Sequence, residues 1–179
     1  MHTVAWYELE PGFSSNFHLT ENGDYFGEQH SSRDISNEVD LAHLIKLRSQ
    51  ADAIVVGGAT ARVESYKPSK RFETYVISSQ PQAAELHRLE FSDDAELSAK
   101  IITLKAKHTR ILSECGPALL NKFLQLGAIG ELFLTVSFTD KPSRSAAEKS
   151  THSVLNLDGY QLEHFEIIQN SALTSWRRA

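Results

Sequence analysis

The stretch TRILSECGPALLNKFLQLG, residues 109–127, decides the fold class. Residues 109–113 alternate and carry β-branched side chains, which is typical of a strand that enters a core. Pro117 suits the first position of a helix, because its missing N–H costs nothing there. A stripe of leucine and phenylalanine side chains follows, and Gly127 is placed to end it. The stretch therefore predicts a strand, a short turn and an amphipathic helix.

The turn between that strand and that helix, Glu114-Cys115-Gly116, is a candidate phosphate site. Backbone N–H groups and the positive end of the helix dipole converge at such a point. An ordinary strand–turn–helix connection without a ligand is the alternative interpretation. Glu114 is expected either to bind ligand hydroxyls or to stabilise the start of the helix. Cys115 is either a nucleophile with a lowered pKa or a small structural residue.

A second glycine turn follows a second predicted strand. Residues 51–56, ADAIVV, form an almost uninterrupted apolar run, as in a central parallel strand covered on both faces. Gly57-Gly58-Ala59-Thr60 comes directly after it. Ligands of open α/β sheets bind beyond the carboxyl ends of strands, so two such turns side by side could hold a dinucleotide. Neither turn is a standard nucleotide motif, and two plain connections remain the alternative.

The rest of the chain predicts strands and helices in alternation. A helix is expected up to about Gln50, and another over 95–107. Further strands are predicted at 13–20, 74–78, 86–91 and 131–138, and a terminal antiparallel pair at 161–168 and 172–176. Residues 139–153 are polar and are expected to form a mobile loop. Strands that alternate with helices and end in a hairpin predict an α/β sandwich with a mixed sheet.

Length and composition favour a single globular domain over residues 1–179. With 18 Lys and Arg against 23 Asp and Glu, the net charge of −5 argues against a nucleic-acid-binding surface. The single cysteine cannot form an internal disulfide, and no Cys/His spacing suggests a metal. No apolar run is long enough to span a bilayer and no leader is evident, so a cytoplasmic protein is expected.

Basic and imidazole side chains are further candidate ligand groups. Arg62, Lys67, Lys70 and Arg71 cluster after the second turn. They could neutralise a phosphorylated ligand, or form a solvated basic loop. Arg48 could reach a ligand or simply cap a helix end. The histidines, including His43, His87, His108, His152 and His164, show no paired spacing, and most are expected at the surface.

Three segments together resemble a known family. LRSQADAIVVGGATARVESY, residues 47–66, resembles the LRxxADAxxVGxxTxRxExY segment of the reductase domain of the riboflavin-pathway deaminase–reductase family. ILSECGPALLNKFLQLGAIGELFLTVSF, residues 111–138, is similar to that family's ILxEGGPxLxxxLLxxGLVDELxLTVxP segment. NFHLTENGDYF, residues 16–26, resembles its first strand and xSLDGxI turn. The resemblance implies a three-layer, dihydrofolate-reductase-like sandwich with a mostly parallel central sheet and a C-terminal antiparallel hairpin.

The resemblance also implies an activity. Family members use NADPH as the hydride donor, and the biosynthetic members reduce the opened ribose of a phosphoribosylamino-pyrimidine to ribitol. A homodimer is implied as well. Two alternatives stay open, an orphan reductase of a pterin- or pyrimidine-like substrate and an NADPH- or ligand-binding protein that has lost turnover.

The site residues implied by the resemblance fall into three sets. The candidate catalytic residues are Glu114 and Asn22. The helix start from Gly116 to about Lys122 matches the segment that holds the NADPH phosphates, and the full cofactor set is Gly57, Gly58, Thr60, Glu64, Gly116, Pro117, Ala118 and Leu119. The substrate set is Arg48, Arg71, Ser32 and Glu114, with Arg71 expected near the substrate phosphate.

Several positions depart from the family pattern. Asn22 stands where relatives carry Asp, and Cys115 replaces the first glycine of a Gly-Gly pair. Asp34 occupies a place where some relatives have an aromatic side chain against the cofactor. After Phe138, TDKPSRSAAEKS replaces a proline-led loop that contains glycine. The zinc signature of the deaminase half, HxE with PCxxC, is absent, so the resemblance concerns the reductase half.

Overall fold

A computed structural model describes residues 3–28, 32, 35–64, 66–80 and 86–179. Within them, one eight-stranded sheet is covered by five helices. The strands are β1 (Gly12–Thr20), β2 (Ala53–Gly57), β3 (Glu73–Ile77), β4 (His87–Leu89), β5 (Arg110–Ser113), β6 (Glu131–Ser137), β7 (Tyr160–Ile168) and β8 (Ser171–Arg178). The helices are α1 (Glu38–Gln50), α2 (Gly58–Glu64), α3 (Asp94–Lys107), α4 (Pro117–Gln125) and α5 (Arg144–Val154).

The sheet is mixed, with the order β4-β3-β2-β5-β1-β6-β8-β7. Neighbouring strands from β4 to β6 pair in parallel, whereas β8 pairs antiparallel with both β6 and β7. The β7–β8 hairpin turns at Gln169, which has a φ of 54°. The mostly parallel sheet and the C-terminal hairpin are therefore confirmed.

Helices pack on both faces of the sheet. On one face, α3, α4 and α5 contribute to a core that includes Phe13, Phe17 and Leu19 of β1. On the other face, α1 and α2 pack with the N-terminal arm (residues 3–11), whose Tyr7 is fully buried. This arrangement of helices, sheet and helices confirms the predicted three-layer sandwich.

The deciding stretch folds as its sequence predicts. Pro117 is the first residue of α4, and Gly116 is the residue that precedes the helix. Phe123 is fully buried, and its ring centroid lies 5.2 Å from that of Phe13 in β1. Gly127, just beyond α4, has a φ of 62°, a conformation that glycine adopts at little cost. Burial of this apolar stripe holds α4 in place, and with it the turn at Glu114-Cys115-Gly116.

The prediction of a mobile loop at 139–153 is wrong, because α5 occupies most of that segment. Ser143 caps the helix by accepting a hydrogen bond from the Ala146 N–H. The buried face of α5 consists of small or hydroxyl-bearing residues, and Thr151 Oγ1 donates to the carbonyl oxygen of Ala147 at 2.8 Å. Such a face buries its polar atoms by bonding them to its own backbone. It therefore leaves no apolar periodicity in the sequence.

The expectation that most histidines lie at the surface fails at two described positions. His43 in α1 is fully buried and His18 in β1 is almost fully buried, whereas His87 and His152 are exposed. Both buried rings have hydrogen-bond partners, Val39 for His43 and Ser137 for His18. A buried imidazole that is hydrogen-bonded has no distinctive spacing in a sequence.

Candidate active site

A crevice opens in the sheet where β5 ends. The pairing of β1 with β5 stops at Ser15↔Ser113, whereas its pairing with β6 continues to Thr20↔Ser137. The last part of β1 thus has a strand on one side only. The neighbouring strand β2 ends at Gly57, and α2 begins at the next residue. Ligands of open α/β sheets bind in crevices of this kind, so the carboxyl edge is the candidate active site.

Glu114 and Arg48 form the central ion pair of this crevice. Arg48 Nε donates to Glu114 Oε1 at 2.6 Å, and Arg48 Nη2 donates to Oε2 at 2.5 Å. The Glu114 side chain is only 7% exposed, and that of Arg48 is 36% exposed. Burial lowers the pKa of Arg48, but the bonds and charge of Glu114 outweigh it, so the net pKa is raised. Two residues assigned separately to the substrate side therefore meet in one bidentate pair.

Tyr66 completes this cluster and was not among the predicted site residues. Its hydroxyl donates to Glu114 Oε2 and accepts from Arg48 Nη2 at 3.2 Å. The guanidinium carbon of Arg48 lies 5.6 Å from the centre of the Tyr66 ring. Burial and the charge of Glu114 raise the pKa of Tyr66 well above its ordinary value, so the phenol stays protonated. The one sequence feature that could have indicated a role for Tyr66 is its place at the end of segment 47–66, which resembles the family.

Apart from Glu64, the predicted cofactor residues lie at the starts of two helices. Gly116, which precedes α4, offers no side-chain cap, and a Cβ built on it would meet no atom of the described residues within 4 Å. The start of α4, with Pro117, Ala118 and Leu119, is therefore open to a ligand at its N-terminal end. A Cβ on Gly58 would lie 2.5 Å from Ser78 Oγ, so the start of α2 requires glycine for its close packing. Gly57 and Thr60 flank Gly58 at the same end of α2.

A cleft of about 380 Å³ adjoins the start of α2. Its lining includes Gly58, Arg62, Ser78, Ser79, Gln80 and Phe91. Arg88 lies beside it and donates to the carbonyl oxygens of Ser78 and Ser79 at 3.1 and 2.9 Å. The cleft thus combines hydroxyl groups with the Arg62 side chain, and it is also lined by Glu90, which forms an ion pair with Arg88. Of these residues the sequence indicated only Gly58 and Arg62, although two serines directly after a parallel strand were a usable signal.

Ser32 and Glu64, assigned to the substrate side and the cofactor side, contact each other. The backbone N–H and the hydroxyl of Ser32 both donate to Glu64 Oε1, at 3.1 and 2.9 Å. Ser32 therefore lies against the end of α2. Asp34 lies outside the described residues.

The described side-chain contacts of the Arg48–Glu114 pair do not include Asn22 or Arg71. Asn22 is exposed in the turn after β1, next to Gly23 with its φ of 85°. Arg71 is exposed, and its backbone N–H donates to Ser69 Oγ at 3.1 Å. None of the described hydrogen bonds or ion pairs joins either side chain to Glu114. The structure brings Arg48 and Glu114 together without these two residues.

Cys115 is sealed inside the protein. Its side chain is almost fully buried and donates to the Val55 carbonyl oxygen at 3.5 Å. Burial raises the pKa of the thiol to about 12, which leaves it protonated at neutral pH. This environment supports the structural interpretation of Cys115 rather than a nucleophile.

A buried histidine–carboxylate pair lies on the α1 side of the same edge. His18 Nδ1 is 3.5 Å from Asp40 Oδ2, and Ser36 Oγ donates to that oxygen at 2.8 Å. His18 Nε2 lies 3.0 Å from Ser137 Oγ. Burial lowers the pKa of His18, and the charge of Asp40 counteracts part of that effect. The pair joins β1, β6 and the start of α1 beneath the carboxyl edge.

The described residues hold neither a candidate metal-ligand group nor a candidate membrane-spanning helix. They contain no group of three or more His, Cys, Asp or Glu side chains that could hold a metal ion. None of their helices is both long enough and apolar enough to cross a membrane.

Comparison with known structures identifies proteins that share the fold. The chain superposes on a pyrimidine reductase-like protein from Corynebacterium diphtheriae with a TM-score of 0.69 and 16% identity, covering 94% of this chain and 92% of that one. A dihydrofolate reductase from Enterococcus faecalis, complexed with NADP(H) and RAB-propyl, gives a TM-score of 0.62 and 13% identity over 95% of this chain and 98% of its own. These similarities confirm the dihydrofolate-reductase-like fold.

A bifunctional protein from Thermotoga maritima, a diaminohydroxyphosphoribosylaminopyrimidine deaminase/5-amino-6-(5-phosphoribosylamino)uracil reductase, gives a TM-score of 0.65 and 14% identity. It matches 95% of this chain, which spans 57% of the Thermotoga protein. No curated protein sequence matches the chain. The family model described as the RibD C-terminal domain matches residues 23–137, which is more than half of the chain. The chain therefore belongs to the RibD C-terminal domain family.

Proposed function

We propose that the protein reduces a phosphoribosylamino-pyrimidine with NADPH, converting its ribosyl chain to a ribityl chain in riboflavin biosynthesis. Membership of the family and the fold shared with solved reductases support a reductase. The observation that carries the proposal is the Arg48–Glu114 pair, in which Glu114 lies two residues before Gly116, the residue that precedes α4. A carboxylate for sugar hydroxyls and a helix start for phosphate thus adjoin each other.

NADPH would supply the hydride when it is bound. The uncapped start of α4 and the open space at Gly116 fit a phosphate of the cofactor. The protein's own task is to hold the donor and acceptor carbons face to face and to exclude water. This chemistry needs no nucleophile, which agrees with the buried and protonated state of Cys115.

The Arg62 side chain in this cleft supports NADPH over NADH. The two cofactors differ by a phosphate on the adenosine ribose, and guanidinium groups bind phosphate well. Arg62 lines the cleft beside Ser78 and Ser79, and Arg88 lies next to both serines. We expect this cleft to receive the extra phosphate, and an Arg62→Ala variant to lose preference for NADPH over NADH.

A second candidate is an orphan reductase of a pterin- or pyrimidine-like compound. Asn22 replaces an aspartate of the family pattern, and α5 occupies the segment where relatives carry a glycine-containing loop. Asn22 follows β1 and α5 follows β6, and both changes favour a different substrate. They leave the cofactor residues at α2 and α4 in place.

A titration with NADPH is the first test of the proposed function. Quenching of tryptophan and tyrosine fluorescence should saturate, and the thermal midpoint should rise because a ligand that binds only the folded state stabilises it. Turnover would then be followed as NADPH oxidation with the phosphoribosylamino-pyrimidine and with pterin-like compounds. No saturable binding up to millimolar NADPH would contradict the proposal and favour a protein that binds another ligand.

A further inference from the structure

The carboxylate of Glu114 is already occupied by donors of its own chain. Oε1 accepts from Arg48 Nε, and Oε2 accepts from both Arg48 Nη2 and the Tyr66 hydroxyl. Three of the roughly four lone pairs of the carboxylate are thus in use, and one remains on Oε1. Because the side chain is only 7% exposed, replacement of one of these donors is the more direct way for a ligand group to bind Glu114.

The two donors are not equally replaceable. Arg48 is held by charge and by two parallel hydrogen bonds, and its loss would leave a buried carboxylate without a counter-ion. Tyr66 contributes one neutral O–H donor. The hydroxyl of a sugar or polyol offers the same donor, so an exchange of Tyr66 for a ligand hydroxyl conserves the hydrogen bonds of Glu114.

Unpaired cations follow Tyr66 directly in the chain. Lys67, Lys70 and Arg71 are exposed, and none of these three side chains forms an ion pair with another described residue. A ligand with a hydroxyl at the Tyr66 position and a phosphate at its end would place that phosphate near this basic segment (residues 67–71). Arg48 would remain beneath the ligand as the partner of Glu114.

We propose that Tyr66 is a specificity-determining residue whose hydroxyl occupies the position of a ligand hydroxyl on Glu114 and is displaced by a phosphorylated polyol chain. The inference deepens the proposed function and rests on it for the use of this crevice as the substrate site. A ligand that displaces the phenol without supplying a hydroxyl leaves Glu114 one hydrogen-bond donor short. Such ligands are therefore bound less tightly. Tyr66 thereby favours the binding of ligands whose chain carries a hydroxyl.

The test compares Tyr66→Phe with the wild type. The variant keeps the ring over Arg48 but removes the competing hydroxyl. Calorimetric titration with ribitol 5-phosphate, ribose 5-phosphate and inorganic phosphate, in the presence of NADPH, measures the effect. We expect Tyr66→Phe to bind ribitol 5-phosphate about three- to tenfold more tightly, as a removed competing hydrogen bond implies. Inorganic phosphate, which brings no polyol hydroxyl, should show no such gain.

Tyr75→Phe is the matched control. The Tyr75 hydroxyl also donates to a carboxylate that pairs with a cation, since it bonds Glu73 Oε2 at 2.6 Å beside Lys107. This cluster lies at the amino ends of β3 and β4, away from the crevice. The control should leave affinity for all three ligands unchanged.

Three outcomes would overturn the inference. The first is that Tyr66→Phe binds ribitol 5-phosphate no more tightly than the wild type. The second is an equal gain in its affinity for inorganic phosphate. The third is an equal gain in affinity for ribitol 5-phosphate in Tyr75→Phe. The same samples are titrated with NADPH alone. If the wild type does not bind NADPH, the proposed reductase function is contradicted. A higher affinity of Tyr66→Phe for ribitol 5-phosphate would still support the role of Tyr66.

Discussion

The backbone N–H of Val4 donates a hydrogen bond to His43 Nε2 at 3.1 Å, which joins the N-terminal arm to α1. The other ring nitrogen, Nδ1, lies 2.6 Å from the carbonyl oxygen of Val39 in the same helix. Because Nε2 accepts, the neutral ring carries its proton on Nδ1. A second proton on the ring would abolish the bond to Val4.

Acidification should therefore loosen the arm. Burial lowers the pKa of His43 below its ordinary value of 6.5, so the unfolded chain binds the proton more readily than the folded protein does. The stabilising contribution of neutral His43 is present above pH 6.5 and is lost as pH falls below it. We expect the free energy of unfolding, measured with urea, to fall between pH 7.5 and 5.5. This fall should be about 1 kcal/mol smaller in His43→Gln than in the wild type. The exposed His152→Gln is the control, and an unchanged drop in His43→Gln would contradict this role.

Gly116→Asp should abolish the cofactor site without unfolding the protein. A Cβ at Gly116 meets no atom within 4 Å, and the φ of −63° suits any residue. A carboxylate there would repel a phosphate at the start of α4. We expect NADPH affinity to fall by about tenfold or more, with little change in the thermal midpoint of the free protein. Gly130→Asp is the matched control, since its Cβ would lie 3.9 Å from the nearest atom, the Phe13 carbonyl oxygen. Unchanged NADPH affinity in Gly116→Asp would remove this helix start from the cofactor site.

Glu114→Gln should affect turnover more than cofactor binding. The substitution keeps the shape of the side chain but removes the charge that pairs with Arg48. Hydrogen bonds to a charged group contribute about 1.5–3 kcal/mol, so we expect turnover to fall by roughly 10- to 100-fold. The dissociation constant of NADPH should change by less than about threefold, because Glu114 is assigned to the substrate. Equal losses in turnover and NADPH binding would count against that assignment.

Local sequence patterns predict most of this fold, since its central elements are apolar and periodic. The β5–α4 unit carries a leucine and phenylalanine stripe, and β2 is an apolar run buried on both faces. In contrast, α5 buries Ala147, Ser150 and Thr151, which form no apolar stripe. A helix of that kind is recognised only when its packing surface is known.

The site was harder to predict because its contacts join distant parts of the chain. Arg48 and Glu114 are 66 residues apart, and Tyr66 reaches Glu114 across 48 residues. The family resemblance assigned Arg48 and Glu114 to one side of a ligand but did not show that they bond each other. The pairing of His18 with Asp40 has no local signal either, because neither residue disturbs the periodicity of its element.

Cys115 should resist thiol reagents in the folded protein. With its pKa raised to about 12, the thiolate fraction at pH 8 is on the order of 10⁻⁴, and burial also blocks access. We expect one equivalent of dithionitrobenzoate to react only after denaturation, which is a clean measurement because the chain has a single cysteine. Cys115→Ala should retain NADPH affinity. Rapid labelling of the native protein, with loss of NADPH binding, would instead indicate an exposed and functional thiol.

Phe123→Ala should test how α4 is anchored to the sheet. Phe123 is fully buried against Phe13, so its truncation leaves a cavity between α4 and β1. We expect the free energy of unfolding to fall by about 3–5 kcal/mol, as measured by urea denaturation. Ile102→Ala is the control, since Ile102 in α3 is 68% exposed and its loss should cost less than about 0.5 kcal/mol. If the two variants were equally stable, packing of α4 on β1 would not be what holds the Gly116 turn at the crevice.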